Sequence, residues 1–227
     1  MTKKKLFLAI NLVLICAVFI GNYFYLSEYS LLKKALCSSG FALIGLVNLV
    51  YALTQKDKQL RHSVSMALGL FLAMLGDIIL GFDFTIGAAS FAAGHICFAV
   101  AYYFLCRPAA RDFVISGALF LVSAAFLLFF PGMTFDQPFM KYVCLAYALV
   151  ISCMTGKAIS NFTRERTLQT VILLIGSVLF FFSDLMLVCD WFLGMGRIAG
   201  ILCMSTYYPA ECILAYSVFH LSNAKSQ

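Results

Sequence analysis

Apolar residues run along this chain in stretches of about twenty, broken by short polar segments that hold most of the charges. Runs of that length match the thickness of a bilayer when coiled as α-helix. The pattern predicts spans at about 6–26, 35–53, 64–82, 86–106, 113–130, 139–156, 168–190 and 197–220. Within each run the hydrophobicity is continuous, without the alternation of barrel strands. The expected fold is therefore all-α, a polytopic membrane protein of eight transmembrane helices, with residues 1–227 forming one integral membrane domain. The polar interruptions inside these runs then become the informative positions, because a carboxylate near mid-membrane costs about 2.5–3.5 kcal/mol on insertion scales.

Two such interruptions share one skeleton. Gly69–Phe84 reads GLFLAMLGDIILGFDF and Gly176–Trp191 reads GSVLFFFSDLMLVCDW. In both, a glycine precedes an aspartate by eight residues, and a second aspartate beside an aromatic follows six later. Asp77 and Asp184 are twins by spacing, directly preceded by Gly76 and Ser183. On parallel spans three and seven they lie at one expected depth, roughly 8–9 Å below the outer boundary at about 1.5 Å rise per residue. The repeated pair points to duplication of a four-helix unit, a 4+4 internal repeat. The eight-residue spacing keeps each glycine near its aspartate's face, where a small residue admits a neighbouring helix. Asp83 and Asp190 are expected to be solvated helix-end charges.

Other polar residues lie on neighbouring spans, His95 and the tyrosines of span eight roughly 13 Å down, Tyr142 nearer the outer end and Glu211 several ångströms deeper in the inner half. Span four brings His95, and span eight brings Tyr207, Tyr208 and, past Pro209, Glu211. Span six contributes Tyr142 and Tyr147, and span two has Asn48 as its one amide. Pro209 is expected to disturb its helix locally. His62 and His220 fall at the opposite span ends.

Composition sharpens the class without changing it. With 63% hydrophobic and 11% charged residues, the chain departs from soluble domains, which carry about 25% charge. The net charge of +6 lies at span ends, so topology accounts for it and no nucleic-acid partner is expected. Twelve of the sixteen lysines and arginines fall at the N-terminus, near 56–61, 107–111 and 157–166, and in the C-terminal tail. Lys33, Lys34, Lys141 and Arg197 fall on the other side, and the positive-inside rule places both termini in the cytoplasm. The run after Met-Thr-Lys-Lys-Lys exceeds a signal h-region and reads as a retained first helix. Of nine cysteines, Cys16, Cys97, Cys144, Cys153, Cys203 and Cys212 lie within apolar runs, as small buried hydrophobes.

Two carboxylates in an apolar medium divide their protons, leaving one as acid and one as base without metal, cofactor or covalent nucleophile. One histidine at that depth falls short of the three protein ligands of a catalytic zinc, so no metal is expected. No GxSxG, phosphate loop or mid-span lysine for a Schiff base is present. A proton-coupled carrier of small molecules or lipid would also employ intramembrane carboxylates and internal repeats. Its repeats are often inverted, and its site usually lies at broken helices, whereas the matched spans here are parallel and continuous.

LGLFLAMLGDIIL, AGHICF, LIGSVLFFFSDLML and STYYPAE, in that order, resemble the YhhN-like family, the lysoplasmalogenase family of eight-helix membrane proteins. The resemblance implies that Asp77 and Asp184 are the catalytic pair. It implies hydrolysis of the vinyl ether of a lysoplasmalogen to a fatty aldehyde and glycerophosphoethanolamine or glycerophosphocholine. A membrane lysophospholipid and water are then the partners. Supporting or substrate-binding roles fall to Lys34, His95, Tyr142, Tyr147, Ser183, Tyr207, Tyr208 and Glu211, with Lys34 placed for the lipid phosphate. Two departures stand out: Lys34-Ala35 replaces a frequent Lys-Pro, and Glu211 stands where relatives often carry an amide.

Overall fold

A computed structural model describes residues 2–56, 58–135 and 137–224. Each apolar run is an α-helix: α1 Lys3–Ser27, α2 Leu31–Thr54, α3 Leu60–Ile79, α4 Phe84–Leu105, α5 Ala110–Phe129, α6 Pro138–Arg164, α7 Leu168–Leu193 and α8 Arg197–Ala224. All eight are long and apolar enough to cross a membrane, and the described residues contain no strand. This is an all-α, eight-helix membrane protein. In lipid every backbone N–H and C=O needs an internal partner, which is why such sequence has only the helix available to it.

Local chemistry sets the helix ends. The α3–α4 turn closes when the Asp83 carboxylate accepts the Ile86 N–H at 2.8 Å, capping α4. Asp83 is thus an N-cap, a more specific role than a solvated end charge. Thr167 caps α7 by accepting from Thr170 N–H, and α7 ends at Gly194, whose φ of +64° is the left-handed stop that favours glycine. Pro138 opens α6, where its missing N–H costs nothing. α8 runs through Pro209, because apolar surroundings penalise further unwinding and neighbouring helices support the backbone.

α6 departs most from expectation, ending at Arg164 rather than near 156. Its last two turns are polar in sequence, yet Lys157, Ser160 and Asn161 within them are buried. Lys157 Nζ donates to Asp112 Oδ2 at 2.8 Å and to the Arg107 carbonyl at 3.2 Å, and lies 4.3 Å from the Tyr103 ring centroid. Ser160 Oγ and the Ala109 N–H also donate to Asp112, and Asn161 Nδ2 donates to the Tyr102 carbonyl. Lys157 is therefore a buried ion-pair partner tying α6 to α5, and no loop charge. Lys225, also counted for topology, lies outside the described residues. Lys157→Met should destabilise the protein by about 3–5 kcal/mol, since it strands a buried carboxylate. Lys157→Met with Asp112→Asn should recover most of that loss, as thermal unfolding in detergent would show.

Helix adjacency is almost two-fold. The pairs α1–α2, α2–α3, α3–α4 and α4–α6 correspond to α5–α6, α6–α7, α7–α8 and α8–α2 when each helix is replaced by the one four places on. α8 adds contacts to α1 and α3 that have no counterpart. α1 and α5 stand outside, and the backbone of α5 approaches α6 alone. The spaced glycines serve the tightest crossings: a Cβ on Gly69 would lie 2.5 Å from Phe98 of α4, and one on Gly176 would lie 2.6 Å from Leu214 of α8.

Buried amides and imidazoles complete the bundle. Asn48 and Asn11 exchange hydrogen bonds at 2.7 and 2.8 Å, and Asn48 also donates to the Ala215 carbonyl. His62 sits fully buried with Nδ1 2.9 Å from the Ala101 carbonyl, and His220 Nδ1 lies 3.0 Å from Gln169 Oε1. Both histidines join helices rather than ending them. Cys16 and Cys153 face outward, unlike the buried Cys144, Cys203 and Cys212, and all nine cysteines are free thiols.

Candidate functional site

Asp77 and Asp184 are both buried, at 1% and 8% exposure. Each is met by one helix of its own half of the chain and one of the other half. Asp77, on α3, receives α2 and α8: Lys34 Nζ lies 3.0 Å from Oδ1, while Ser38 Oγ and Tyr207 OH, the latter at 2.8 Å, donate to Oδ2. Asp184, on α7, receives α6 and α4: Tyr147 OH donates to Oδ2 at 2.7 Å, and His95 Nε2 faces the same oxygen at 3.4 Å.

The two environments differ in charge. Asp77 accepts from three donors, one of them a lysine ammonium, which is the pattern of an ionised, acceptor-only carboxylate. Lys34 and Ser38 can both reach it because four residues separate them on one face of α2. Lys34 is thus the ion-pair partner of Asp77, a placement the sequence did not disclose for it. Tyr208 OH donates to the Lys34 backbone carbonyl at 3.4 Å, so both tyrosines of the YYPAE stretch reach the Asp77 side.

Around Asp184 the decisive contact is on the far side of the imidazole. His95 Nδ1 lies 2.6 Å from the Phe91 carbonyl. A carbonyl only accepts, so Nδ1 carries a hydrogen and donates it. Nε2 of a neutral ring would then be a bare acceptor facing the Asp184 oxygen. The imidazole is fixed by rings: Phe180 at 4.5 Å and Tyr147 at 5.5 Å between centroids. Phe180 also packs edge-on against Tyr207 at 5.3 Å, which links the two aspartate sites through one aromatic layer.

Among the remaining sequence candidates, Ser183 donates to the Phe180 carbonyl within α7 and so serves the helix. Tyr142 is 68% exposed and does not join the site. It lies five residues before Tyr147, which turns it away from the face that Tyr147 uses. Glu211 is fully buried, one turn beyond Tyr207, and neither of its oxygens meets a hydrogen-bond donor.

Two cavities open nearby, one bordered by Asp184 and the other by Lys34, the ion-pair partner of Asp77. One, of about 70 Å³, is almost wholly apolar and is lined by Asp184 with Tyr147, Phe91, Ala88 and Ala148 among others. The second, of about 720 Å³, is the more polar of the two and is lined by Lys34, Arg197, Asp190, Tyr25, Tyr29 and Trp191 among others. Asp190 therefore borders a cavity. Ser38 and Phe180 were not anticipated. Ser38 could have been found from its four-residue spacing to Lys34, whereas nothing distinguishes Phe180 from other phenylalanines in its run.

The described residues contain no group of three or more His, Cys, Asp or Glu arranged to hold a metal ion. A search of curated proteins returned no match, and neither did a search of solved structures. A family profile described as the YhhN family matches residues 37–218, a stretch that includes both aspartates, their histidine and both tyrosine donors. On that match, the chain belongs to the YhhN family.

Proposed function

We propose that the protein is a membrane hydrolase that cleaves the vinyl ether bond of lysoplasmalogens by acid–base catalysis between Asp184 and Asp77. The observation that carries this reading is the unequal pair: a carboxylate faced by the His95 imidazole at 3.4 Å on one side, and an ion-paired carboxylate on the other. Family membership supports it, because the family includes lysoplasmalogenases.

Vinyl ether hydrolysis needs a proton delivered to the outer vinyl carbon, which leaves an oxocarbenium cation on the inner carbon and oxygen. The Asp184–His95 pair supplies that proton from the apolar cavity, where an alkenyl chain would lie. Asp184, once it has given up the proton, and the fixed charge of Asp77 then stabilise the cation electrostatically. Water adds to the inner carbon and returns its proton to the carboxylate pair. The resulting hemiacetal collapses to a fatty aldehyde and a glycerophospho-alcohol. Tyr147 and Tyr207 orient one carboxylate each. Lys34 holds Asp77 in this scheme rather than gripping the lipid phosphate.

The test is aldehyde release from a lysoplasmenyl lipid by the purified protein. Turnover is expected to be unchanged by a metal chelator. Activity lost to the chelator and restored by zinc would contradict the scheme, as would proton-coupled solute uptake into proteoliposomes without any chemical change to the solute.

A further inference from the structure

The two cavities meet at one pair of side chains. Leu80 and Leu187 each line both of them. Each leucine stands three residues after its aspartate, Leu80 after Asp77 and Leu187 after Asp184, and so about one turn along the same face. Phe84, which lines the apolar cavity, packs at a tilt against Trp191, which lines the more polar one, with ring centroids 4.8 Å apart. The polar side has charges to spare. Among the described residues neither Arg197 nor Asp190 forms an ion pair, and Lys34 is already held by Asp77. Tyr29 OH and Asp190 Oδ2 converge on Gly200, where a Cβ would lie 3.0 and 3.8 Å from them.

We propose that a single-chain phospholipid with a zwitterionic head lies across the Leu80–Leu187 pair. Its phosphate sits at Arg197, whose planar fork suits phosphate oxygens, and its ammonium sits between Asp190 and Tyr29. Its chain enters the apolar cavity past the two leucines. The bond joining head and chain then lies one helical turn from both aspartates. The apolar cavity has room for the leading part of one chain and not for two, which selects lyso over diacyl lipids. α5, whose backbone approaches α6 alone, is the wall that yields to a longer chain. This placement rests on the reading of the site as a lysolipid hydrolase, but it is tested without turnover.

Trp191 is the one tryptophan in the chain, so its emission reports on the polar cavity. Wild-type protein in nanodiscs is titrated with 1-O-hexadecyl lysophosphoethanolamine, a saturated ether that the proposed reaction cannot cleave. A saturable emission change is expected, given also by lysophosphocholine and unaffected by added diacyl phosphatidylethanolamine. Ala148→Phe, which fills the apolar cavity, should weaken the hexadecyl ligand about tenfold and its octyl homologue much less, since fewer methylenes are buried. Arg197→Gln should weaken both equally and leave hexadecyl maltoside unchanged. The proposal is overturned if wild-type Trp191 does not respond saturably, if diacyl lipid competes, or if Ala148→Phe affects both chain lengths alike. Saturable binding without aldehyde release from the matching vinyl ether would overturn the hydrolase reading and leave the binding site standing. Aldehyde release without a saturable response would do the reverse.

Discussion

Asp184→Asn is expected to lower aldehyde release from a lysoplasmenyl lipid by about 10²–10⁴-fold, the usual contribution of a positioned acid–base group. The substitution preserves size and keeps an oxygen to accept from Tyr147 OH, so the α6–α7 contact survives. It removes the carboxylate that faces His95 Nε2, while His95 stays held by Phe91 and Phe180. The loss should therefore fall on kcat with little change in KM, since the apolar cavity beside Asp184 is not reshaped. Steady-state kinetics beside a thermal melt of the same preparation would show it. A melt within a degree or two of wild type, with kcat retained, would contradict the role given to Asp184. Tyr147→Phe, which removes only an orienting hydrogen bond, should cost less than Asp184→Asn.

Lys34→Met is expected to be damaging twice over. Asp77 is 1% exposed and Lys34 supplies its opposite charge at 3.0 Å. Removing one partner of a buried pair leaves an uncompensated charge and costs about 3–5 kcal/mol of stability. Ser38 and Tyr207 remain as donors, which places the loss at the lower end of that range. Activity should also fall, because an Asp77 that takes up a proton to escape its unpaired charge no longer stabilises the cation. Adding Asp77→Asn to Lys34→Met should restore stability without restoring activity, because an amide needs no counter-ion and carries no charge. Unfolding in detergent and aldehyde release, measured on the single and double variants, separate these two effects. A double variant as unstable as the single one would show that Lys34 contributes by packing rather than by charge.

The eight helices were legible because a bilayer leaves few alternatives for twenty apolar residues. Several starts were legible too: α7 and α8 begin at the expected 168 and 197, and Pro138 opens α6 one residue before the expected 139. The far end of α6 was not, because Lys157 reads as a loop charge until Asp112 is brought against it from another helix. The spacing of Asp77 and Asp184 disclosed that the two are related, but not how their surroundings differ. That difference rests on partners from other helices: Lys34 and Ser38 from α2, Tyr207 from α8, Tyr147 from α6 and His95 from α4. No single stretch of sequence contains both halves of any of these contacts. Tyr142 shows the converse. It stands near Tyr147 on the same span, and the helix's rotation excluded it.

The central claim is that a proton is added to the outer vinyl carbon and water to the inner one. The most direct measurement is to incubate the purified protein with a lysoplasmenyl lipid in D₂O and analyse the aldehyde by mass spectrometry. The account predicts one deuterium at carbon 2 of the released aldehyde, formed by wild-type protein and not by Asp184→Asn. Folded wild-type protein that releases no aldehyde, or releases one without deuterium at that carbon, would contradict it.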